Sequence, residues 1–197
     1  MTETNALPQG GPVAGKSCGA CTLCCKLLAI AALDKPEGVW CPHVAVGKGC
    51  TIYSERPTPC RTFLCGYLMG AQISESWRPN RAKMVLVFDD QGITVHVDPG
   101  TPMAWRNEPY YSDLKRWSSE VAAVRANVMI AIGRRVIVVL PQGGETDLGM
   151  VAEDDRILTR ELPSFSGKKL EVLKVKQDDP RLGEQGGRVG GFRPQHL

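Results

Sequence analysis

The chain has 197 residues, 43% of them hydrophobic and 23% charged, a composition close to that of ordinary globular proteins and incompatible with wholesale disorder. Its longest apolar run, Leu27 to Leu33, has seven residues, against the roughly 18 needed to cross a bilayer, so no membrane span is expected. The formal charge of +3 belongs to the C-terminal stretch: residues 1–165 hold 17 basic and 17 acidic groups, and residues 166–197 hold 7 and 4.

Taken in order, residues 1–17 read as a flexible arm punctuated by Pro8, Gly10, Gly11, Pro12 and Gly15. The arm has no basic start followed by an apolar stretch, so no secretory leader is expected and the reducing cytoplasm is the predicted compartment. Residues 18–79 follow as a cysteine region, discussed below. The third segment, 80–165, carries ordinary secondary-structure patterns. Lys83 to Phe88 and Ile93 to Val97 are apolar, β-branched runs separated by Asp89, Asp90, Gln91 and Gly92, which predicts a hairpin with Gly92 supplying a positive φ. Asp98-Pro99-Gly100 marks a turn. A helix is predicted from Asn107 as N-cap, with Leu114, Trp117, Val121 and Val124 on one face at spacings of three and four. That stripe is read as core. Val128 to Ile132 and Arg135 to Leu140, joined at Gly133-Arg134, predict a second hairpin, and Arg156 to Leu162 a further strand.

These elements predict an α+β fold: a loop-rich eight-cysteine module followed by a small antiparallel sheet with one packed helix. Residues 166–197, rich in glycine and lysine, are predicted to be a disordered basic tail. Lys168, Lys169, Lys174 and Lys176 are interrupted by Glu171 and bounded by Asp178-Asp179, so nucleic acid is not the expected partner. Another protein, meeting the α+β unit or the tail, is the partner class the sequence leaves open.

All eight cysteines, Cys18, Cys21, Cys24, Cys25, Cys41, Cys50, Cys60 and Cys65, fall within a window of 48 residues. In a reducing compartment such a cluster points to metal ligation, and CxxC turns are the spacing by which two sulfurs converge on one ion. CxxC and vicinal pairs also close strained, easily reduced rings, which makes them poor cross-links. Three cysteines at Cys18, Cys21 and Cys24 with a remote Cys41-Pro42 match the ligand order of a four-iron cluster, whereas four-cysteine sites suit zinc equally well. Zinc and iron, the latter within an iron–sulfur cluster, both remain open. Cys24 and Cys25 are neighbours and cannot easily aim both side chains at one tetrahedral ion, so two centres are expected. One division places Cys18, Cys21, Cys24 and Cys41 in the first and Cys25, Cys50, Cys60 and Cys65 in the second. His43 is a lesser candidate ligand.

Lys26, Lys35, Lys48, Arg56 and Arg61 outnumber the acids of the window, and such cations would stabilise dianionic four-thiolate centres. Pro57 and Pro59 preset the backbone ahead of Cys60, and Arg56 and Arg61 are candidate donors to the cysteines. Few apolar residues stand between these motifs, so a thin core and metal-dependent folding of residues 18–65 are expected.

The order CxxCxxCC, then Cys41-Pro42-His43, then Gly49-Cys50 with Ile52, Tyr53, Arg56, Pro57, Cys60, Arg61, Phe63 and Cys65, resembles the YkgJ-like cysteine-cluster family, described as a zinc- or iron-chelating domain. The resemblance covers Cys18 to Cys65 and implies that the eight cysteines are the metal-binding set, without implying an activity. Flagellin lysine methylases share a similar cysteine pattern, which leaves an enzyme role open. The sequence nevertheless shows no P-loop, no glycine-rich nucleotide loop, no paired-histidine zinc motif and no Gly-x-Ser-x-Gly elbow, and no catalytic residue is assigned.

Overall fold

The structure, a computed structural model, describes residues 11–164, 167–183 and 188–190. Short elements fill the first third: α1 (Cys24–Leu27), the two-residue strands β1 (Val44–Ala45) and β2 (Gly49–Cys50), α2 (Thr58–Thr62), α3 (Gly66–Met69) and α4 (Pro79–Ala82). Regular structure follows: β3 (Met84–Asp89), β4 (Gly92–Val97), α5 (Tyr110–Ala122), β5 (Asn127–Ile132), β6 (Arg135–Val139), β7 (Glu145–Met150), β8 (Asp155–Ser164), β9 (Gly167–Lys176) and β10 (Arg188–Gly190). The fold is α+β. A five-stranded sheet runs in the order β3-β4-β5-β6-β7, and a three-stranded sheet in the order β10-β8-β9.

The β3–β4 hairpin forms as expected, with Gly92 at φ 127° in the turn. There a Cβ would lie 2.2 Å from the Asn127 carbonyl oxygen, so the position excludes any side chain. The β5–β6 hairpin also forms. The expected all-antiparallel sheet is corrected in one place: β4 and β5 pair in parallel. Residues 98–126, which include α5, lie between them, and a connection long enough to carry a helix returns the chain to the same end of the sheet, as a tight turn cannot. α5 starts at Tyr110 with Pro109 at the cap position, later than the predicted Asn107 cap. Its core stripe is Leu114, Trp117 and Val121. Val124 lies beyond the helix end and is exposed, so the predicted stripe is one residue too long.

Period-two alternation gives the central sheet two buried faces. Val95 of β4, Val128 and Ile130 of β5, and Ile137 and Val139 of β6 join one cluster with Leu114, Trp117 and Val121 of α5. Met129, Ala131, Val136 and Val138 face the other way, against Ile157 of β8 and Val172 of β9. The predicted disordered tail is therefore corrected over 167–176, which form β9 paired with β8 along its whole length. Leu170 and Val172 alternate there with Lys169 and Glu171, and burying that face outweighs the polar composition. Residues 166, 184–187 and 191–197 lie outside the described residues. So do residues 1–10 of the arm. The described end of the arm is held down, with Val13 N–H donating to the Leu68 carbonyl (2.8 Å) and Lys16 Nζ to the Gly70 carbonyl (2.7 Å).

No core boundary falls at residue 79. Leu23, Leu27, Leu28, Tyr67, Leu68 and Trp77 of the cysteine region belong to the same cluster as Leu86, Val95 and Trp117. Trp77 donates its Nε1–H to Asp113 of α5 (2.8 Å), and its ring meets that of Trp117 at 4.8 Å. Lys26 donates to both Asp98 oxygens, at 2.7 and 2.8 Å, linking α1 to the end of β4. The expectation of a thin core is corrected accordingly: each leucine buried in this way contributes roughly 1.5–3 kcal/mol. The cysteine region borrows its core from the sheet.

Candidate metal centre

Local backbone turns deliver the cysteines. Cys21 N–H donates to the Cys18 carbonyl (2.8 Å), closing the CxxC turn, and α1 begins at Cys24. Cys41 N–H donates to the Cys25 carbonyl (3.0 Å), so the second segment is tied to the vicinal pair. Val44 pairs with Cys50 across β1 and β2, which brings Cys50 back beside Cys41. Pro57 and Pro59 open α2 and place Cys60 on it. Cys65 stands at the N-cap of α3, and its carbonyl accepts from Leu68 N–H (2.8 Å).

All eight cysteines line a single cavity of about 80 Å³, together with His43, Ile52, Tyr53, Arg56, Phe63 and Arg78. All eight are free thiols. Cys41 and Cys65 are buried, at 6% and 8% exposure, and the other six are partly exposed. Cys24 and Cys25 sulfurs stand 3.9 Å apart. As the side chains stand, no three Cys, His, Asp or Glu groups among the described residues converge on a point that could hold one ion.

Packing separates the eight residues. Cys65 is a member of the main core cluster, and Cys18, Cys21 and Cys24 pack against it, whereas Cys25, Cys41, Cys50 and Cys60 do not. The thiols also act on one another across that division. Burial pushes the Cys65 thiol up to about 11, and the neighbouring Cys18 and Cys21 push the same way. Burial also raises Cys60, with Cys25, Cys41 and Cys50 adding to the rise. Cys18 is raised by burial, then by Cys21. Within the vicinal pair, the hydrogen bond raises Cys24 and holds Cys25 below the usual thiol range, with Lys35 and Arg56 favouring the Cys25 thiolate further.

Cations are set around these sulfurs. Lys35 is buried at 4% exposure, and its Nζ donates to the Lys26 and Leu28 carbonyls. Burial lowers its pKa, while Cys25, Cys41 and Cys24 act to keep it charged. Arg56 donates to the Tyr53 carbonyl (3.0 Å) and the Cys60 carbonyl (3.3 Å) and covers the Tyr53 ring at 3.6 Å, so it braces the loop carrying Cys60. Arg61 instead donates to Thr58 Oγ1 and braces α2. Arg78 was not singled out by the sequence. It lines the cavity, and its Nε is buried with no hydrogen-bond partner among the described residues. A lone arginine 13 residues beyond the last cysteine has no local pattern to mark it.

The fold and this site define an α+β protein with eight thiols gathered around one cavity beside its main core. No family model, no curated protein and no solved structure matches the chain. The likeness of the Cys18 to Cys65 window to the YkgJ-like pattern therefore rests on its motif residues. No helix among the described residues is long and apolar enough to cross a membrane.

Proposed function

We propose that this protein binds zinc or iron through Cys18, Cys21, Cys24, Cys25, Cys41, Cys50, Cys60 and Cys65, in the manner implied by the YkgJ-like resemblance, in a reducing cytoplasm. The observation that carries the reading is the gathering of all eight thiols, from four separated chain segments, on the wall of one cavity. Soft thiolate donors select zinc, copper(I) or iron–sulfur centres over hard cations. The buried Lys35 and the unpaired Arg78 Nε supply the positive charge that thiolate centres need.

A second reading, an iron–sulfur redox or electron-transfer protein, or a cluster-dependent enzyme, is favoured by the CxxCxxC order of Cys18, Cys21 and Cys24 with a remote Cys41-Pro42. A mononuclear zinc ion requires its sulfurs about 2.3 Å from one point. In a cluster each thiolate binds its own iron, so the sulfurs encircle a volume and need not converge. No catalytic residue is assigned in either case. The metal supplies Lewis acidity or structural cross-linking if it is zinc, and electron storage if it is a cluster. Anaerobic purification of the full chain followed by zinc, iron and acid-labile sulfide analysis tests both readings. Stoichiometric zinc without sulfide supports the first, and iron with sulfide the second. Absence of both metals, with melting unchanged by chelator, overturns the proposal.

The proposed protein partner is tested by affinity capture with a chain ending at residue 190. Cutting at 166 would remove β9 and with it Val172 and Val175 from the core.

A further inference from the structure

We propose that the eight thiols divide into two four-thiolate centres. The inner one is formed by Cys18, Cys21, Cys24 and Cys65, the outer one by Cys25, Cys41, Cys50 and Cys60, and each takes a thiophilic metal ion or an iron–sulfur cluster. This rests on the metal-binding reading above and goes beyond it by assigning every ligand. It also differs from the division expected from spacing alone, because Cys41 and Cys65 exchange places.

Two independent features carry the assignment. The first is packing: Cys65 sits inside the main core cluster, with Cys18, Cys21 and Cys24 laid against it, and none of the other four touches that cluster. The second is the backbone. Cys41 N–H is bonded to the Cys25 carbonyl (3.0 Å), β1–β2 pairing returns Cys50 to the Cys41 segment, and Arg56 joins the Tyr53 and Cys60 carbonyls into the same loop system. Charge surrounds both groups without dividing them. Lys35 acts on Cys25, Cys41 and Cys24. Arg78 acts on Cys18, and Lys16, bonded to the Gly70 carbonyl, on Cys65. Arg56 acts on Cys18, Cys25 and Cys60.

The vicinal pair marks the seam. Cys24 and Cys25 side chains leave adjacent backbone positions with sulfurs 3.9 Å apart, one belonging to each group. Two adjacent residues serve two adjacent centres more easily than one tetrahedral site. A four-thiolate zinc site or an oxidised four-iron cluster carries two net negative charges. Two such centres placed this close require the intervening and flanking cations found here.

The test uses the full chain, purified anaerobically, with zinc, iron and sulfide counted per chain and circular dichroism recorded for each variant. Cys41→Ser, Cys50→Ser and Cys60→Ser are each expected to retain about half the wild-type metal, and the double Cys41→Ser/Cys60→Ser the same half, because both residues serve one centre. Cys60→Ser/Cys65→Ser is expected to retain none. Loss of all metal from Cys41→Ser/Cys60→Ser would overturn the grouping. So would loss of all metal from any one outer variant that keeps its fold, since that outcome defines a single polynuclear centre. If Cys65→Ser fails to fold, comparison among the three outer variants still decides the matter. A wild-type chain devoid of metal defeats the metal-binding reading itself, a result distinct from a wrong grouping.

Discussion

His96 offers a perturbation whose size follows from its surroundings. It lies in β4 opposite Val85 of β3 and Ala131 of β5, is 2% exposed, and neither ring nitrogen has a hydrogen-bond partner among the described residues. Burial holds its pKa down to about 4, against about 6.5 for an unfolded histidine. Below pH 6.5 the unfolded chain takes up this proton and the folded chain does not, so stability falls as the pH drops. The loss runs at about 1.4 kcal/mol per pH unit, reaches about 2 kcal/mol at pH 5, and levels off near 3 kcal/mol once the folded form also protonates. His96→Leu removes both the titration and the two unpaired nitrogens. The assay is urea unfolding of wild type and variant, followed by tryptophan fluorescence at pH 7 and pH 5. Subtracting one from the other cancels the thiols and any metal release, which both chains share. The variant is expected to gain about 2 kcal/mol on the wild type over that interval. A difference that stays constant between pH 7 and pH 5 refutes the reasoning.

Gly66→Ala places a Cβ 2.7 Å from Leu86 Cβ and 2.8 Å from the Phe88 ring, and is expected to cost about 1–3 kcal/mol in urea unfolding by forcing α3 away from β3. Because Cys65 precedes that glycine, the proposed metal-binding reading has the same variant lose metal sooner to chelator. Lys26→Met leaves Asp98 without the partner that donates to both its oxygens, and a double-mutant cycle with Asp98→Asn is expected to yield a coupling of about 1–3 kcal/mol. A coupling near zero would show that the pair does not join α1 to the sheet. Lys35→Met removes two hydrogen bonds and the buried cation beside Cys25 and Cys41, so, on the proposed metal-binding reading, chelator should extract part of the metal faster than from wild type. Unchanged release would remove Lys35 from the site.

Much of the architecture was open to sequence reasoning where the pattern was local. The hairpins at 84–97 and 127–139 follow from β-branched runs around Gly92 and Gly133, and the helix core from Leu114, Trp117 and Val121. β7 escaped because Glu145, Thr146 and Asp147 are polar and the strand lies at a sheet edge, where one side needs no partner. β9 escaped because its lysines and glycine outweighed the alternation of Leu170 and Val172.

Sequence alone determined that eight thiols crowd one stretch of chain and that Cys24 and Cys25 cannot readily share one tetrahedral ion. Tertiary structure decided that Cys65 lies in the main core with Cys18 and Cys21 packed against it, that Cys41 is bonded to the Cys25 segment, that Arg78 reaches the cavity, and that β4 and β5 run in parallel. The physical reason is range. Spacing fixes what neighbouring residues can reach, whereas the company of distant side chains is set by which apolar faces bury each other, here α3 on β3 through a glycine that leaves no room for a methyl group.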